Sequence, residues 1–231
     1  MILGRVKDMV RLGIGRDDLQ TDMLTYFLES GLRMIEKESS FYWTQDSVDF
    51  NLTANDRDYT ISSSPISVSN YKDSRILLFK KSTDDVYSGE VPYGEKDALD
   101  RIYSTTSTED GAPEAYYVDE DDVLWLYPFP DLAYNMRWFY YKWSSLPTAN
   151  TSESHEVLKR FPEALINAAI AAGIQWFTHD DNLVQPWLRE FKRELHNIVL
   201  HDHRRRQNDN ISLYPATGPH VNPPVLKYRS W

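Results

Sequence analysis

The spacing of hydrophobic residues changes twice along this chain. From Met1 to Leu12, Leu3, Val6, Met9, Val10 and Leu12 recur at helical spacing, and Gly13 and Gly15 close the run. A second helix is predicted from about Asp18 to Glu38. There Leu19, Met23, Phe27, Gly31 and Ile35 fall every four residues, with Leu24, Leu28 and Leu32 beside them. A glycine inside a helix costs roughly 1 kcal/mol against alanine, so Gly31 predicts a close neighbour. Arg33, Glu36, Lys37 and Glu38 are expected on the outer face.

Between Trp43 and about Trp143 the period becomes two. Val48, Phe50 and Leu52 alternate with polar residues, Asn55 to Asp58 reads as a turn, and Tyr59 and Ile61 resume the alternation. A compact strand is predicted over Arg75 to Lys80 and a short helix over Glu95 to Tyr103. A hairpin follows: Tyr116 to Val118, the turn Asp119-Glu120-Asp121-Asp122, then Val123 to Tyr127. Pro128 to Asp131 is a further turn, and Ala133 to Trp143 a long aromatic strand. Helical spacing returns from Glu153. Phe161-Pro162 marks a fresh start, because proline suits a first helical turn. Val157, Phe161, Leu165, Ala168, Ala169, Ala172 and Trp176 make one face, and Ala168 to Gly173 is narrow enough for a neighbouring helix. The last helix is predicted from about Leu183 to Arg206, burying Leu183, Trp187, Phe191, Leu195 and Ile198.

The fold class that follows is α+β. The N-terminal helices (1–42) and C-terminal helices (151–206) form one bundle, and an antiparallel β domain is inserted between them (43–150). From Asn208 the pattern breaks altogether. Four of the chain's twelve prolines lie beyond that point, so neither a continuous helix nor a central strand fits. Yet Leu213, Tyr214, Pro215, Val221, Val225, Leu226, Tyr228 and Trp231 are too apolar for a solvated linker. The stretch 207–231 therefore reads as an extended arm built to lie on another surface. That surface belongs to a different subunit or, alternatively, to the arm's own domain.

At 231 residues, 41% hydrophobic and 13% aromatic, the chain is long enough for a substantial core. Cysteine is absent, which removes disulfides, thiolate metal sites and a thiol nucleophile. The N-terminus lacks the apolar core of a signal peptide. The longest apolar stretch, Ala164 to Phe177, is too short and too polar to span a bilayer, so a soluble protein with no membrane contact is expected. The formal net charge is −10. Proteins that grip nucleic acid usually present a basic face, so tight DNA binding is not expected.

Particular residues bring a family into view: Phe41-Tyr42-Trp43, Val48 to Leu52, Asp58-Tyr59-Thr60-Ile61, Gly111 to Tyr117, Leu124 to Asp131, Trp138 to Lys142, and Phe161 to Leu165 opening the alanine-rich helix. This order resembles the head-to-tail adaptor (connector, or head-completion) proteins of tailed bacteriophages, particularly the short-tailed type, from about residue 15 to residue 205. The resemblance implies a structural protein without catalysis or cofactor. It implies a ring of twelve copies assembled in the host cytoplasm and placed at the virion neck. The portal protein would bind the C-terminal arm, and a tail or nozzle protein would lie below. DNA would pass through the channel without tight binding.

Asp119 to Asp122 offers carboxylates for a metal or for hydrolysis, but a solvated hairpin turn or a channel-facing stretch accounts for them more simply. His196 and His201 do not share a helix face, which argues against zinc. The basic run Arg204, Arg205 and Arg206 has three readings: complementing a helix C-terminus, pairing with acidic portal residues, or contacting DNA. Gly13-Ile14-Gly15 is not a phosphate loop, and no nucleophile elbow is present. Trp43, Trp125, Trp138 and Trp143 are expected in the core or at subunit contacts rather than as sugar platforms. The rival functions are a tail-fibre or baseplate component with an aromatic β docking face and, further off, a carboxylate-dependent hydrolase.

Overall fold

A computed structural model describes residues 1–81, 87, 89–103, 110–151 and 154–212. Helices α1 (Leu3–Ile14), α2 (Thr21–Glu38), α4 (Glu156–Arg160), α5 (Pro162–Thr178) and α6 (Asp181–Ser212) flank a β region that also holds α3 (Lys96–Ile102). The strands are β1 (Gln45–Asn51), β2 (Asp58–Thr60), β3 (Tyr71–Lys81), β4 (Gly89–Val91), β5 (Asp110–Gly111), β6 (Ala115–Val118), β7 (Val123–Tyr127), β8 (Phe129–Pro130) and β9 (Tyr134–Lys142). The α+β class expected from periodicity is the class found.

In the bundle, α5 packs against α1, α2 and α6. Its buried positions, Ala164, Leu165, Ile166, Ala168, Ala169, Ile170, Ala171 and Gly173, run nearly all the way round. A helix apolar on every side belongs at the centre. Small residues let its neighbours come close. A Cβ on Gly31 of α2 would meet the Ala169 nitrogen at 3.0 Å, and the Ala168 Cβ and Leu165 carbonyl oxygen at 3.2 Å. The close neighbour predicted for Gly31 is therefore the alanine stretch of α5.

The β region has its own core. Strands run in the order β1-β9-β3-β4 in one sheet and β2-β7-β6 in another. Phe50, Tyr59, Leu77, Tyr116, Leu124, Leu126, Met136 and Trp138 are buried together. On the other face of the smaller sheet, Leu99 of α3 covers Ala115, Tyr117 and Tyr127. Strand β1, which enters the region, pairs antiparallel with β9, which leaves it, from Gln45↔Tyr141 to Asn51↔Asn135. The inserted chain thus departs from and returns to the bundle at one place.

Several boundaries differ from the sequence reading. Helix α2 starts at Thr21, not Asp18. Strand β3 begins at Tyr71 because irregularities at Tyr71/Asp73 and Ser74/Ile76 let it stay paired with β9 despite its polar residues. The short β4 was not anticipated, and the expected Pro128–Asp131 turn contains β8, which pairs in parallel with β5. Helix α6 runs to Ser212, so 207–212, expected in the arm, is helical. Asn and Asp weaken a helix only slightly, whereas the prolines that forbid one begin at Pro215. Helix α6 starts at Asp181 rather than about Leu183, so Pro186 lies inside it, past the first turn.

The crossing at Gly31 can be tested directly. Gly31→Val should lower the unfolding free energy by about 1–3 kcal/mol, because the backbone of α5 leaves no room for a branched side chain. A urea midpoint equal to wild type would show that the helices separate there without cost.

Candidate interaction surface at the joint of bundle and β region

The joint is built around a carboxylate that the sequence pattern placed outside. Glu36, in the last turn of α2, is fully buried. An ionised group out of water must be hydrogen-bonded or paired. Ser144 donates to it from its backbone nitrogen (3.2 Å) and from its hydroxyl, and the Arg33 guanidinium stands at 3.4 Å. Burial raises the Glu36 pKa, with the Ser144 hydrogen bonds and Arg33 acting against it. Lys72 of β3 donates to the carbonyls of Ser39 (2.8 Å) and Glu36, so a strand residue satisfies orphan acceptors at the helix C-terminus. Arg33 and Lys72 also flank the Trp143 ring, at 5.1 and 4.9 Å from its centroid.

His155 completes this network. Its Nδ1 accepts from the Val157 nitrogen (3.2 Å), capping α4, and its Nε2 lies 2.9 Å from the Ser144 hydroxyl. Since Nδ1 accepts, Nε2 carries the proton and donates to Ser144, whose own proton points to Glu36. A serine, a histidine and a glutamate therefore adjoin, but in the wrong order for a nucleophile. The histidine cannot take the serine proton, and the glutamate does not orient the imidazole. Burial pushes the His155 pKa down to about 4, opposed by Glu156.

The basic end of α6 packs beside this network. Asp202, only 3% exposed, accepts from the Tyr42 nitrogen at 2.9 Å and pairs with Arg206 at 2.7 Å. Arg206 also donates to the Ser40 carbonyl. Arg205 lies over the Tyr42 ring at 3.7 Å and 4.0 Å from Glu156. Glu156 accepts from the Tyr42 hydroxyl and pairs with Arg160, which in turn approaches His201 Nε2 at 3.4 Å. Burial raises the Tyr42 pKa, and its hydrogen bond to Glu156 adds to the rise. Burial alone would raise Glu156 too, but the Tyr42 hydrogen bond and the charge of Arg160 outweigh it, and its pKa is lowered.

Of the three arginines singled out in the sequence, Arg205 and Arg206 are thus engaged within the chain and Arg204 is exposed. They do not serve the helix C-terminus, because α6 continues to Ser212. Sequence reasoning missed Tyr42, Glu156, Lys159 and Arg160. The Glu156/Arg160 spacing was a readable signal, being an i,i+4 pair, but its apposition to α6 was not. The arm residues Leu213, Tyr214, Pro215, Val221, Val225, Leu226, Tyr228 and Trp231 lie outside the described residues.

Within the acidic turn, Asp119 has structural partners. Asp119 accepts from the Asp121 and Val123 nitrogens (3.0 and 2.9 Å) and from Trp125 Nε1 (2.8 Å), clamping its hairpin. Burial opposes ionisation of Asp119, but these hydrogen bonds prevail and hold its carboxyl below the usual range. Among the described residues, no group of three or more His, Asp or Glu could hold a metal ion. Nor is any helix there long and apolar enough to cross a membrane. Trp138 is fully buried, Trp43 stacks on Phe41, and Trp125 lies between Tyr117 and Arg57. These rings are committed to the protein interior or to its own side chains.

The chain belongs to the family described as SU10 adaptor protein, whose model matches residues 1–216. This agrees with the resemblance to phage head-to-tail adaptors and makes the protein a structural adaptor of a bacteriophage virion. No curated protein matches it.

The joint generates a pH prediction. His155 has its pKa depressed on folding, from 6.5 to about 4. Stability is therefore complete above pH 6.5 and falls as the pH drops towards 4, because the unfolded chain takes up the proton first. The loss is on the order of 3 kcal/mol. Glu36 acts with the opposite sign, since a raised carboxyl favours the fold below its unfolded pKa and loses that contribution as pH rises. In His155→Gln, denaturant midpoints measured from pH 7 to pH 4 should fall less steeply than in wild type. Parallel profiles would rule out the buried neutral imidazole.

Proposed function

Proceeding from membership in this adaptor family, we propose that the protein forms a ring joining the portal to the tail of the virion. The ring has twelve copies, continues the DNA channel and works without catalysis. The observation that carries the portal attachment is how α6 ends. Its 32 residues give a rod of roughly 48 Å. That rod is anchored at the joint through Asp202 and Arg206, and it leads directly into the proline-interrupted, aromatic sequence 213–231. A segment of that composition gains little from water or from a local helix. On a partner, its backbone can add hydrogen bonds to an exposed edge while Tyr214, Val225, Leu226, Tyr228 and Trp231 anchor it. The partner is the portal ring, and a tail or nozzle protein binds the opposite side. The net charge of −10 per copy suits a channel that DNA must cross without adhering, since like charges repel across a screening length of about 8 Å at physiological salt.

The rival readings draw less support. A glycan-binding β face needs exposed aromatic platforms, and Trp125 is covered by Arg57. Of the Asp119–Asp122 carboxylates on which a hydrolase would be built, Asp119 already accepts three hydrogen bonds, and Glu120, Asp121 and Asp122 stand exposed at the hairpin tip.

Mass photometry with and without purified portal tests the proposal. The full chain should be monomeric alone and form rings on portal, and a chain ending at Ser212 should lose portal affinity by at least about a hundredfold. Undiminished binding by the truncated chain would remove the arm from the interface. Binding to cell-surface glycan but not to portal would replace the adaptor with the tail-fibre reading.

A further inference from the structure

The joint carries a basic patch that no single stretch of sequence contains. Arg160 of α4 and Arg205 of α6 are brought together by Glu156, which Arg160 pairs with and Arg205 approaches at 4.0 Å, and Lys159, Arg204 and Arg206 adjoin them along the chain. Among the described side chains, the carboxylates within this group are Glu156 and Asp202. Five cations against two carboxylates leave three positive charges in excess. Among the described residues Lys159 and Arg204 are exposed and have no carboxylate partner, and Arg160 and Arg205 keep 51% and 43% of their side chains exposed. This cluster stands out on a chain whose formal charge is −10.

The chain also presents the complementary surface. At the tip of the β6–β7 hairpin, Glu120, Asp121 and Asp122 are exposed, and among the described residues their side chains make no ion pair. Asp119 is occupied in folding the turn, which leaves three free carboxylates. The Ile61 nitrogen donates to the Asp122 carbonyl (2.9 Å) and the Val68 nitrogen to the Ile61 carbonyl (2.8 Å). Two residues on, the Trp143 nitrogen donates to the Asn70 carbonyl (2.8 Å), and Trp143 precedes Ser144, the partner of Glu36. The hairpin tip is therefore tied through a short ladder to the joint from which the basic patch projects.

A cyclic ring is built from heterologous contacts, so each subunit must offer two different patches that fit each other at one height. Copies with the same strong net charge repel at long range, and a local contact of opposite sign must offset this. Resting on the ring reading above, we propose that the hairpin tip of one copy, Glu120, Asp121 and Asp122, docks on the α4/α6 patch of its neighbour, Lys159, Arg160, Arg204 and Arg205. Three negative charges meet three in excess. A nucleic-acid site would call for a wider basic face than this.

Paired charge reversal tests the contact. One variant carries Asp121→Lys and Asp122→Lys, the other Lys159→Glu and Arg204→Glu, all at exposed positions, with folding checked by circular dichroism. Ring formation on portal at about 0.15 M salt is read by mass photometry. Each variant alone should form rings at least about tenfold less well than wild type, because like charges then face each other at every contact. An equimolar mixture should recover the wild-type level, since the two alternate around an even-numbered ring. Normal assembly by either variant alone, or no recovery in the mixture, overturns the proposal. So does a Lys159→Glu/Arg204→Glu variant that assembles normally but loses retention on duplex DNA, which would assign the patch to nucleic acid. A wild-type chain that binds portal without forming a ring removes the ring reading itself, and this contact falls with it.

Discussion

The structure depends on a carboxylate that is kept out of water. Glu36 closes α2 where bundle and β region meet, and its charge is tolerated because Ser144, just beyond the end of β9, donates to it twice and the Arg33 guanidinium stands at 3.4 Å. A buried ion pair or network contributes little net stability over an apolar contact of the same shape, but removing one partner leaves an orphaned charge at heavy cost. The arrangement therefore specifies how two cores sit together more than it strengthens either. Lys72, Trp143 and His155 converge on the same few ångströms from β3, from the exit of β9 and from the start of α4.

That joint also explains why the ends of the chain matter. The N-terminal amine donates to the Leu158 carbonyl (2.7 Å), and Lys7 and Gly4 both reach Asn150 (3.1 and 2.8 Å). The start of α1 is thus fastened both to α4 and to the linker after β9. Referencing the two cores to one fixed point means that load on either is carried by packed side chains and not by a loose linker. At the opposite end of the bundle Tyr26 and Trp176 meet edge to face at 5.8 Å while each stays more than half exposed, near exposed Leu12 and Leu183. The molecule presents apolar surface there and charged surface at the joint.

The sequence was most legible where periodicity was long and uninterrupted. Helix α5 could be placed from its alanines and the Phe161-Pro162 start, and the closeness of its neighbour was readable from Gly31. The β6–β7 hairpin was readable from the acidic turn. Short elements escaped because they have too few residues to show a period: β4, β5 and β8 are each three residues or fewer. The start of β3 escaped for another reason. Its polar residues look like loop, and only pairing with β9 reveals them as strand. The end of α6 ran past Arg206 because asparagine and aspartate disfavour a helix only weakly.

The sequence by itself determined the class of each long segment, the two separate cores and the overall negative charge, because these follow from local spacing and composition. Family resemblance, too, rested on short runs of aromatic and proline punctuation readable in order. Only the tertiary structure decided which polar residues act together. Glu36 looked like an outer-face charge until Ser144, 108 positions away, was seen to meet it. The arginines of α6 looked like a helix terminus until Tyr42 and Glu156 were found beneath them. Local patterns record whether a residue prefers water, whereas the partner that makes burial affordable comes from a distant part of the chain.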